Sequence, residues 1–297
     1  MTEPISMDTK VEKRKYRVGV IDLETYGHGS PDIVLESIRK AKKHNLDLLV
    51  GPEWSLSAPG DGTGPRAYPY GEAKSLIDLL KTETIGSDML VVPGTFVYFK
   101  DLADVKEKFI ANSAEISLKH PEECEREINP NDIKNGIVNI KRGPFSKIFP
   151  SKRFVGYDYM PVLSNGKIVY SLTKEENGGT GSFLGKRTIR GYIPKSRKFE
   201  FSGLSFGAEI CSDAGRLRRE DVKNLDVQIV SLCGQLYSPP NVLREGGVYV
   251  YSNGYGFGSE PGGKTGQALI GKIKSGRLIP LDPIESDGRL EIFETDL

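Results

Sequence analysis

The sequence has few cysteines, few histidines and almost no net charge, and each shortage excludes a class of protein. Its three cysteines, Cys124, Cys211 and Cys233, lack C-x-x-C spacing, which argues against a disulfide framework or a zinc cluster and favours a reducing, cytoplasmic compartment. A formal net charge of +1 removes the main electrostatic reason to expect nucleic acid or an anionic membrane as a partner. No stretch approaches the roughly 18 apolar residues of a membrane span. A small molecule or another protein remains as the expected partner.

Short apolar strands and amphipathic helices alternate along the first part of the chain. The first residues are charged and lack the apolar segment of a secretory signal, so a leader is expected at 1–14 and a folded domain at 15–297. The apolar run 16–23 predicts a strand, and Ser30 and Pro31 then supply an N-cap and a first helical residue. A second apolar strand completes a βαβ unit. This alternation predicts one α/β domain with a mixed sheet.

The second half of the chain changes from alternation to paired strands. A polar stretch at 116–156 comes first, and we interpret it as a surface insertion. Asn165 and Gly166, between two apolar runs, are typical of a hairpin turn. A further strand pair, a short helix near 219–224 and a helix near 241–245 are then predicted, before a closing hairpin and a final strand.

Two reactive side chains stand just beyond apolar strands. Glu53 follows the run LDLLVGP, and Cys211 follows LSFGAEI. Ligands of open α/β sheets bind at the carboxyl ends of strands, so both residues are predicted at a binding edge. Simpler interpretations stay open, with Cys211 as a small core side chain and Glu53 as a solvated carboxylate. Lys174, at the end of a hairpin strand, has the alternative of an exposed surface lysine.

Three segments resemble the signatures of a known family. LLVGPEWSL, NGKIVYSLTK and FGAEICSDAG, in that order, are similar to the signature segments of the nitrilase superfamily, the carbon-nitrogen hydrolases. The resemblance extends to LREGGVYVYSNGYG and QALIGKIKSGRLI and leaves 116–156 unmatched. It implies a single-domain αββα sandwich with mixed β-sheets that commonly forms a homodimer or a higher homo-oligomer. Cysteine chemistry requires no cofactor, and the sequence indicates no cofactor or metal. The resemblance also implies Glu53, Lys174 and Cys211 as catalytic residues.

The chemistry of these three residue types fits that assignment. A free cysteine with a pKa of about 8.5 is largely unreactive at neutral pH without a base or a cation beside it. Glu53 could take the proton of the thiol and later activate water. Lys174, together with the backbone N–H of Ser212, could stabilise the oxyanion of a tetrahedral intermediate. A catalytic Cys-His pair is disfavoured, because none of the three histidines lies in these segments. They are His28, His44 and His120.

Three further residues are expected near the site. Members of the family usually carry a second glutamate after the lysine, and here only Glu175 and Glu176 follow, closer than expected. Either Glu176 takes that role through a shortened loop or the role is absent. Asp213 is expected either to stabilise the turn after Cys211 or to contact the substrate. The sole tryptophan, Trp54, is expected to line the pocket or simply to be buried.

The sequence therefore predicts a hydrolase that cleaves a small amide through a cysteine thioester. The alternatives are a nitrile or N-carbamoyl hydrolase of the same superfamily and an inactive binding module with the same fold. A different class is suggested by GSEPGGKT, from Gly258 to Thr265, which fits the P-loop pattern of NTP-binding proteins. No strand leads directly into this loop, and glycines and a turn follow where a helix should run. We interpret the match as accidental and the loop as part of a pocket rim.

Overall fold

The computed structural model describes the chain in separate ranges. It describes residues 15–23, 30–57, 67–101, 138–139, 153–174, 197–233, 240, 242–254 and 268–297, with the backbone alone at 99–101, 138–139, 153–157, 212 and 233. The leader, most of the predicted insertion, and Gly258 to Thr265 therefore lie outside the described residues.

Three helices and one 3₁₀ turn occur in the described residues. They are α1 (Pro31–Lys43), α2 (Tyr70–Thr84), α3 (Arg216–Arg219) and the turn Cys211–Asp213. The strands are β1 (Lys15–Ile21), β2 (Leu48–Val50), β3 (Tyr68–Pro69), β4 (Leu90–Val92), β5 (Phe96–Asp101), β6 (Val138–Asn139), β7 (Arg153–Ser164), β8 (Lys167–Thr173), β9 (Lys198–Phe201), β10 (Leu204–Ile210), β11 (Leu225–Cys233), β12 (Leu243–Gly254), β13 (Leu269–Lys274), β14 (Arg277–Pro280), β15 (Glu285–Asp287) and β16 (Leu290–Asp296).

These strands form two sheets. The first sheet has the order β15-β16-β1-β2-β4-β7-β5-β3, with β6 and β8 also paired to β7. The second sheet has the order β14-β13-β12-β11-β10-β9. Each sheet has a central run of parallel strands, β1-β2-β4 in the first and β10-β11-β12 in the second. Antiparallel strands flank each run, and β3 pairs parallel with β5 at one edge of the first sheet. Both sheets are therefore mixed, as predicted.

Local sequence signals explain several of these elements. The hydroxyl of Ser30 caps α1 by accepting from the N–H of Asp32 at 3.3 Å, and Pro31 begins the helix. Three lysines near its C-terminal end complement the helix dipole. Asn165 and Gly166 have φ values of 44° and 75°, which suits the tight turn that joins β7 to β8.

The two sheets pack face to face through one apolar layer, which we call the inter-sheet core. The first sheet contributes to it Val18, Val20, Leu48, Val50, Leu90, Val92, Met160, Val162 and Leu172, and the second sheet contributes Phe206, Ala208, Ile210, Val227, Ile229, Val248 and Val250. Helices α1 and α2 cover the outer face of the first sheet, while Leu217 of α3 packs against Leu225 on the second. Each fully buried aliphatic side chain contributes about 1.5–3 kcal/mol. This layering is the predicted αββα sandwich.

The structure corrects two of the predicted helices. The helix expected near 241–245 is wrong, because Leu243–Gly254 forms β12 and pairs with β11 and β13. The guanidinium of Arg244 donates to Asp226 on β11, so pairing across the sheet overrides local helix propensity. The short helix expected near 219–224 lies earlier, at Arg216–Arg219.

Part of the stretch at 116–156 pairs with the first sheet. Val138–Asn139 pairs with β7, and β7 itself begins at Arg153. The rest of this stretch lies outside the described residues. In the part of the chain that the structure describes, no helix is long and apolar enough to cross a membrane.

Candidate active site

Glu53, Lys174 and Cys211 come together at one end of the inter-sheet core. Glu53 lies in the loop after β2, Lys174 directly follows β8, and Cys211 directly follows β10. Side chains alternate between the two faces of a strand, so Lys174 shares the inner face occupied by Leu172. Two of these strand ends belong to the first sheet and one to the second. The face-to-face packing of the sheets therefore assembles the group.

The ammonium of Lys174 is ion-paired with Glu53 away from solvent. Its Nζ lies 2.6 Å from Oε1 of Glu53, and the two side chains are 1% and 0% exposed. The same Nζ lies 5.9 Å from the centroid of the Trp54 ring, within range of a cation–π interaction. Trp54 is itself buried. The tryptophan ring therefore packs beside the ion pair.

Cys211 carries a buried thiol on a strained backbone. The residue is a free cysteine with a φ of 44°, in the left-handed region that side chains with a Cβ rarely adopt. It opens the 3₁₀ turn, which the N–H of Ala214 closes by donating to the carbonyl of Cys211 at 2.9 Å. Strain of this kind costs about 1–3 kcal/mol and clusters at functional sites. The thiol interacts with the carboxylate of Glu53 and with the charge of Lys174.

The loop that carries Glu53 is attached to the second sheet. The backbone N–H of Glu53 donates to the carbonyl of Leu232 on β11 at 3.1 Å. The hydroxyl of Ser231, on the same strand, donates to the carbonyl of Gly51 at 2.9 Å. These bonds cross from one sheet to the other. The position of the carboxylate therefore depends on how the two sheets pack.

Asp158 is a fourth ionisable residue at the site, and the sequence analysis missed it. It lies on β7, is 3% exposed, and its backbone carbonyl accepts from the N–H of Lys174 at 3.0 Å. The available signal was a carboxylate in the apolar strand FVGYDYMPVL, in phase with the inward-facing Met160 and Val162. We call Glu53, Asp158 and Lys174 the site cluster.

Burial and charge shift the pKa values of all three members of the site cluster. Burial raises the pKa of Glu53, and the Asp158 carboxylate adds to this against the opposing charge of Lys174. Burial also raises the pKa of Asp158, again opposed by Lys174. Burial acts to lower the pKa of Lys174, but the charges of Glu53 and Asp158 outweigh it and raise that pKa. The site therefore keeps a permanent cation beside carboxyl groups that hold protons unusually well.

Asp213 points into a second buried cluster behind the cysteine turn. Nη2 of Arg197 lies 3.4 Å from Oδ2 of Asp213, with both side chains 0% exposed. Nε of Arg197 donates to Oε1 of Glu220 at 3.1 Å, and its backbone N–H donates to the other oxygen at 3.2 Å. We call Arg197, Asp213 and Glu220 the elbow cluster. Of the two predicted roles for Asp213, these contacts support stabilisation of the turn.

Other predicted residues are covered only in part. Glu175 and Glu176 lie outside the described residues, so the role of Glu176 stays a prediction. Ser212 is described in its backbone alone, and its N–H follows Cys211 within the 3₁₀ turn. Lys167, the other lysine of the hairpin, is exposed. Among the described residues, no three side chains of histidine, cysteine, aspartate or glutamate are grouped to hold a metal ion.

Comparison with known proteins relates this chain to solved structures only. No family model matches it, and no curated protein does. A mutant of the Nesterenkonia AN1 amidase, which is from the nitrilase superfamily, is similar with a TM-score of 0.52 and 11% identity. The match covers 95% of this chain and 90% of the amidase chain. Another mutant of that amidase, with a TM-score of 0.53, 12% identity and the same coverage, shows covalent addition of the acetamide moiety of fluoroacetamide at its active-site cysteine.

A larger enzyme is similar as well. The glutamine-dependent NAD+ synthetase from Acinetobacter baumannii has a TM-score of 0.52 and 18% identity over 95% of this chain. This chain spans 46% of the length of that protein. The chain has the fold of the nitrilase superfamily. This similarity confirms the architecture expected from the three signature segments.

Proposed function

We propose that this protein is a carbon-nitrogen hydrolase that cleaves the amide bond of a small molecule through a thioester on Cys211. The observation that carries the proposal is the 2.6 Å contact between Lys174 and Glu53 beside that thiol. Removing two charges from water costs several kcal/mol for each ion, so a dry ion pair at a strained cysteine favours a chemical role over a structural one. The nitrilase-superfamily fold supports the same conclusion.

The first half of the reaction forms the thioester. Glu53 takes the proton from Sγ of Cys211, and the thiolate attacks the carbonyl carbon of the amide. Negative charge moves to the carbonyl oxygen, where Nζ of Lys174 and the backbone N–H of Ser212 stabilise it. Glu53 then returns the proton to the leaving nitrogen, the C–N bond breaks, and ammonia or an amine departs.

The second half of the reaction restores the enzyme. Water enters the space left by the amine, and Glu53 removes a proton from it as it attacks the thioester. Lys174 stabilises the second tetrahedral intermediate as it does the first. Sγ then leaves the carbon and takes up the proton, so the products are a carboxylic acid and free Cys211. One carboxylate therefore acts alternately as base and acid, and one ammonium stays charged throughout.

The test is ammonia release from a panel of small compounds. We expect turnover with at least one simple amide; acetamide, butyramide and glutamine should be included with a nitrile and an N-carbamoyl amino acid. Cys211→Ala should abolish turnover, and Cys124→Ala serves as the matched cysteine control with full activity. A wild type that hydrolyses none of these compounds, or a Cys211→Ala variant that keeps its rate, contradicts the proposal.

A covalent probe makes the test independent of turnover. The thiolate of Cys211 should displace fluoride from fluoroacetamide and leave a carbamoylmethyl group on sulfur. Time-resolved peptide mass spectrometry should find this group on Cys211 in the wild type and, at a lower rate, in Glu53→Gln, because the base that activates the thiol is then missing. Equal labelling rates in the two proteins would contradict the role assigned to Glu53.

A further inference from the structure

The site cluster contains one carboxylate more than the proposed reaction uses. Glu53 and Asp158 both lie beside Lys174, and the three residues are 1%, 3% and 2% exposed. If both carboxyls were ionised and the thiol neutral, this buried group would carry one excess negative charge. An uncompensated buried charge is strongly unfavourable, and a carboxyl avoids it by keeping a proton.

Hydrogen bonding in the site cluster also indicates that one carboxyl keeps a proton. Oε1 of Glu53 accepts from Lys174, but Oε2 is buried without a hydrogen-bond partner among the described residues. Both carboxylate oxygens of Asp158 are also buried without such a partner in the described part of the chain. An ionised carboxylate only accepts hydrogen bonds, so two ionised carboxylates cannot hydrogen-bond to each other. One proton between them supplies the missing donor.

The ion pair decides which carboxyl holds that proton. Lys174 makes its 2.6 Å contact with Glu53, which stabilises the ionised form of Glu53 directly. Asp158 feels the same cation only through space. The side chains of Thr95, Glu53 and Trp54 beside it also act to lower its pKa, and burial opposes them. Cys211 completes the titratable groups near the pair. Burial raises the pKa of Asp158 against the pull of Lys174, in agreement with this assignment.

We propose that Asp158 is protonated near neutral pH and donates a hydrogen bond to Oε2 of Glu53. Asp158 is then a positioning residue that orients the general base and keeps it ionised without adding a second buried charge. The inference rests on the proposed function for its meaning in catalysis, but the protonation of Asp158 can be measured without a substrate.

Infrared spectroscopy tests the protonation directly. Protein with carbon-13 in the carboxyl groups of its aspartates should show, near neutral pH, a protonated-acid C=O band that shifts with the label. Exposed aspartates have pKa values near about 3.9 and are ionised under these conditions, and the buried Glu209 carries no label. The band should be missing in Asp158→Asn. Its absence from the wild type, or its presence in Asp158→Asn, would overturn the proposal whether or not the protein hydrolyses amides.

The rate of Cys211 alkylation by iodoacetamide tests the role of the hydrogen bond. Asp158→Asn keeps an N–H donor toward Glu53, so the rate near neutral pH should stay within about fivefold of the wild type, the most that losing one neutral hydrogen bond would account for. Asp158→Ala removes the donor, and the rate should fall about 100-fold, the scale of general base assistance. Circular dichroism would establish that both variants are folded. Equal rates in the two variants would count against a positioning role.

The pH profile of the same alkylation separates a protonated Asp158 from an ionised one. A protonated Asp158 is as neutral as asparagine, so Asp158→Asn should keep the midpoint of the acid limb at which Glu53 gains a proton. An ionised Asp158 raises the pKa of Glu53, and its replacement by neutral asparagine would move that midpoint to lower pH. A downward shift of about one pH unit or more would therefore overturn the proposal.

Discussion

The site cluster and the elbow cluster are both buried groups of opposite charges, but they compensate their charges differently. In the elbow cluster, Arg197 lies between Asp213 and Glu220, and the side chain of Glu220 is 31% exposed and reaches solvent. In the site cluster every member is nearly sealed, and carboxylate oxygens lack hydrogen-bond partners among the described residues. A group with unmet acceptors can exchange protons or bind a ligand, whereas a group whose carboxylates are both paired with one arginine stabilises a scaffold. This comparison predicts that the first cluster affects mainly activity and the second mainly stability.

Removing the cation of the site cluster should have the largest effect. Lys174→Met takes away the stabiliser of the oxyanion and the partner that keeps Glu53 ionised. We expect kcat/KM for the best amide to fall about 10³-fold, the scale of losing one oxyanion donor, which corresponds to about 4 kcal/mol. The free energy of unfolding should change less, because both carboxyls of the cluster can take up protons.

The control for this variant is Lys167→Met, on the same hairpin. Lys167 is exposed at the start of β8, so its replacement should leave kcat/KM within about twofold of the wild type, as for most surface substitutions. Steady-state kinetics and urea unfolding of both variants make the comparison. A Lys174→Met protein with near-normal kcat/KM would show that this cluster is structural.

Breaking the elbow cluster should act mainly on stability. Arg197→Met leaves the 0% exposed Asp213 without its cation, and removing one partner of a buried ion pair costs about 3–5 kcal/mol. Urea unfolding should show this loss. Arg244→Met is the matched control, because the 40% exposed side chain of Arg244 pairs at the surface and its loss should cost about 1 kcal/mol or less. Equal losses of unfolding free energy in the two variants would mean that the burial of Arg197 does not make its ion pair more important for stability.

Local sequence signals were sufficient for the parts of the site that follow strands. Apolar runs bounded by turn residues predicted β2 and β10, and the Asn-Gly hairpin predicted the strand that ends at Lys174. The amino-acid sequence alone was therefore enough to locate Glu53, Lys174 and Cys211 at strand ends. Their convergence followed from a family resemblance, because no local signal says which strand ends of two facing sheets will meet.

The residues that sequence analysis missed depend on pairing between distant parts of the chain. Asp158 is buried because β7 pairs with β5 on one side and β8 on the other, and a lone carboxylate in a strand does not reveal this. The same cause explains the wrong helix at 241–245. Arg244 and its neighbours favour a helix locally, but Leu243 pairs with β11 and the side chain of Arg244 donates to Asp226 on the same strand.

The smallest of the three effects concerns the backbone that supports the site cluster. Gly94 has a φ of 92°, and a Cβ there would lie 2.0 Å from the carbonyl oxygen of Pro52, the residue before Glu53. Gly86 also has a positive φ, 74°, but a Cβ there would meet no heavy atom within 4 Å. Comparing alanine at the two positions separates backbone strain from the close approach.

Gly86→Ala should cost about 1–2 kcal/mol in the free energy of unfolding, the strain of a left-handed residue with a Cβ. Gly94→Ala carries the same strain and must also displace Pro52, so we expect a further loss of about 1 kcal/mol or more. Because that displacement moves Glu53 relative to Lys174, kcat/KM should also fall by about tenfold or more in Gly94→Ala alone. If unfolding by urea and kcat/KM were equally affected in both variants, the packing of Gly94 against Pro52 would have no part in positioning the base.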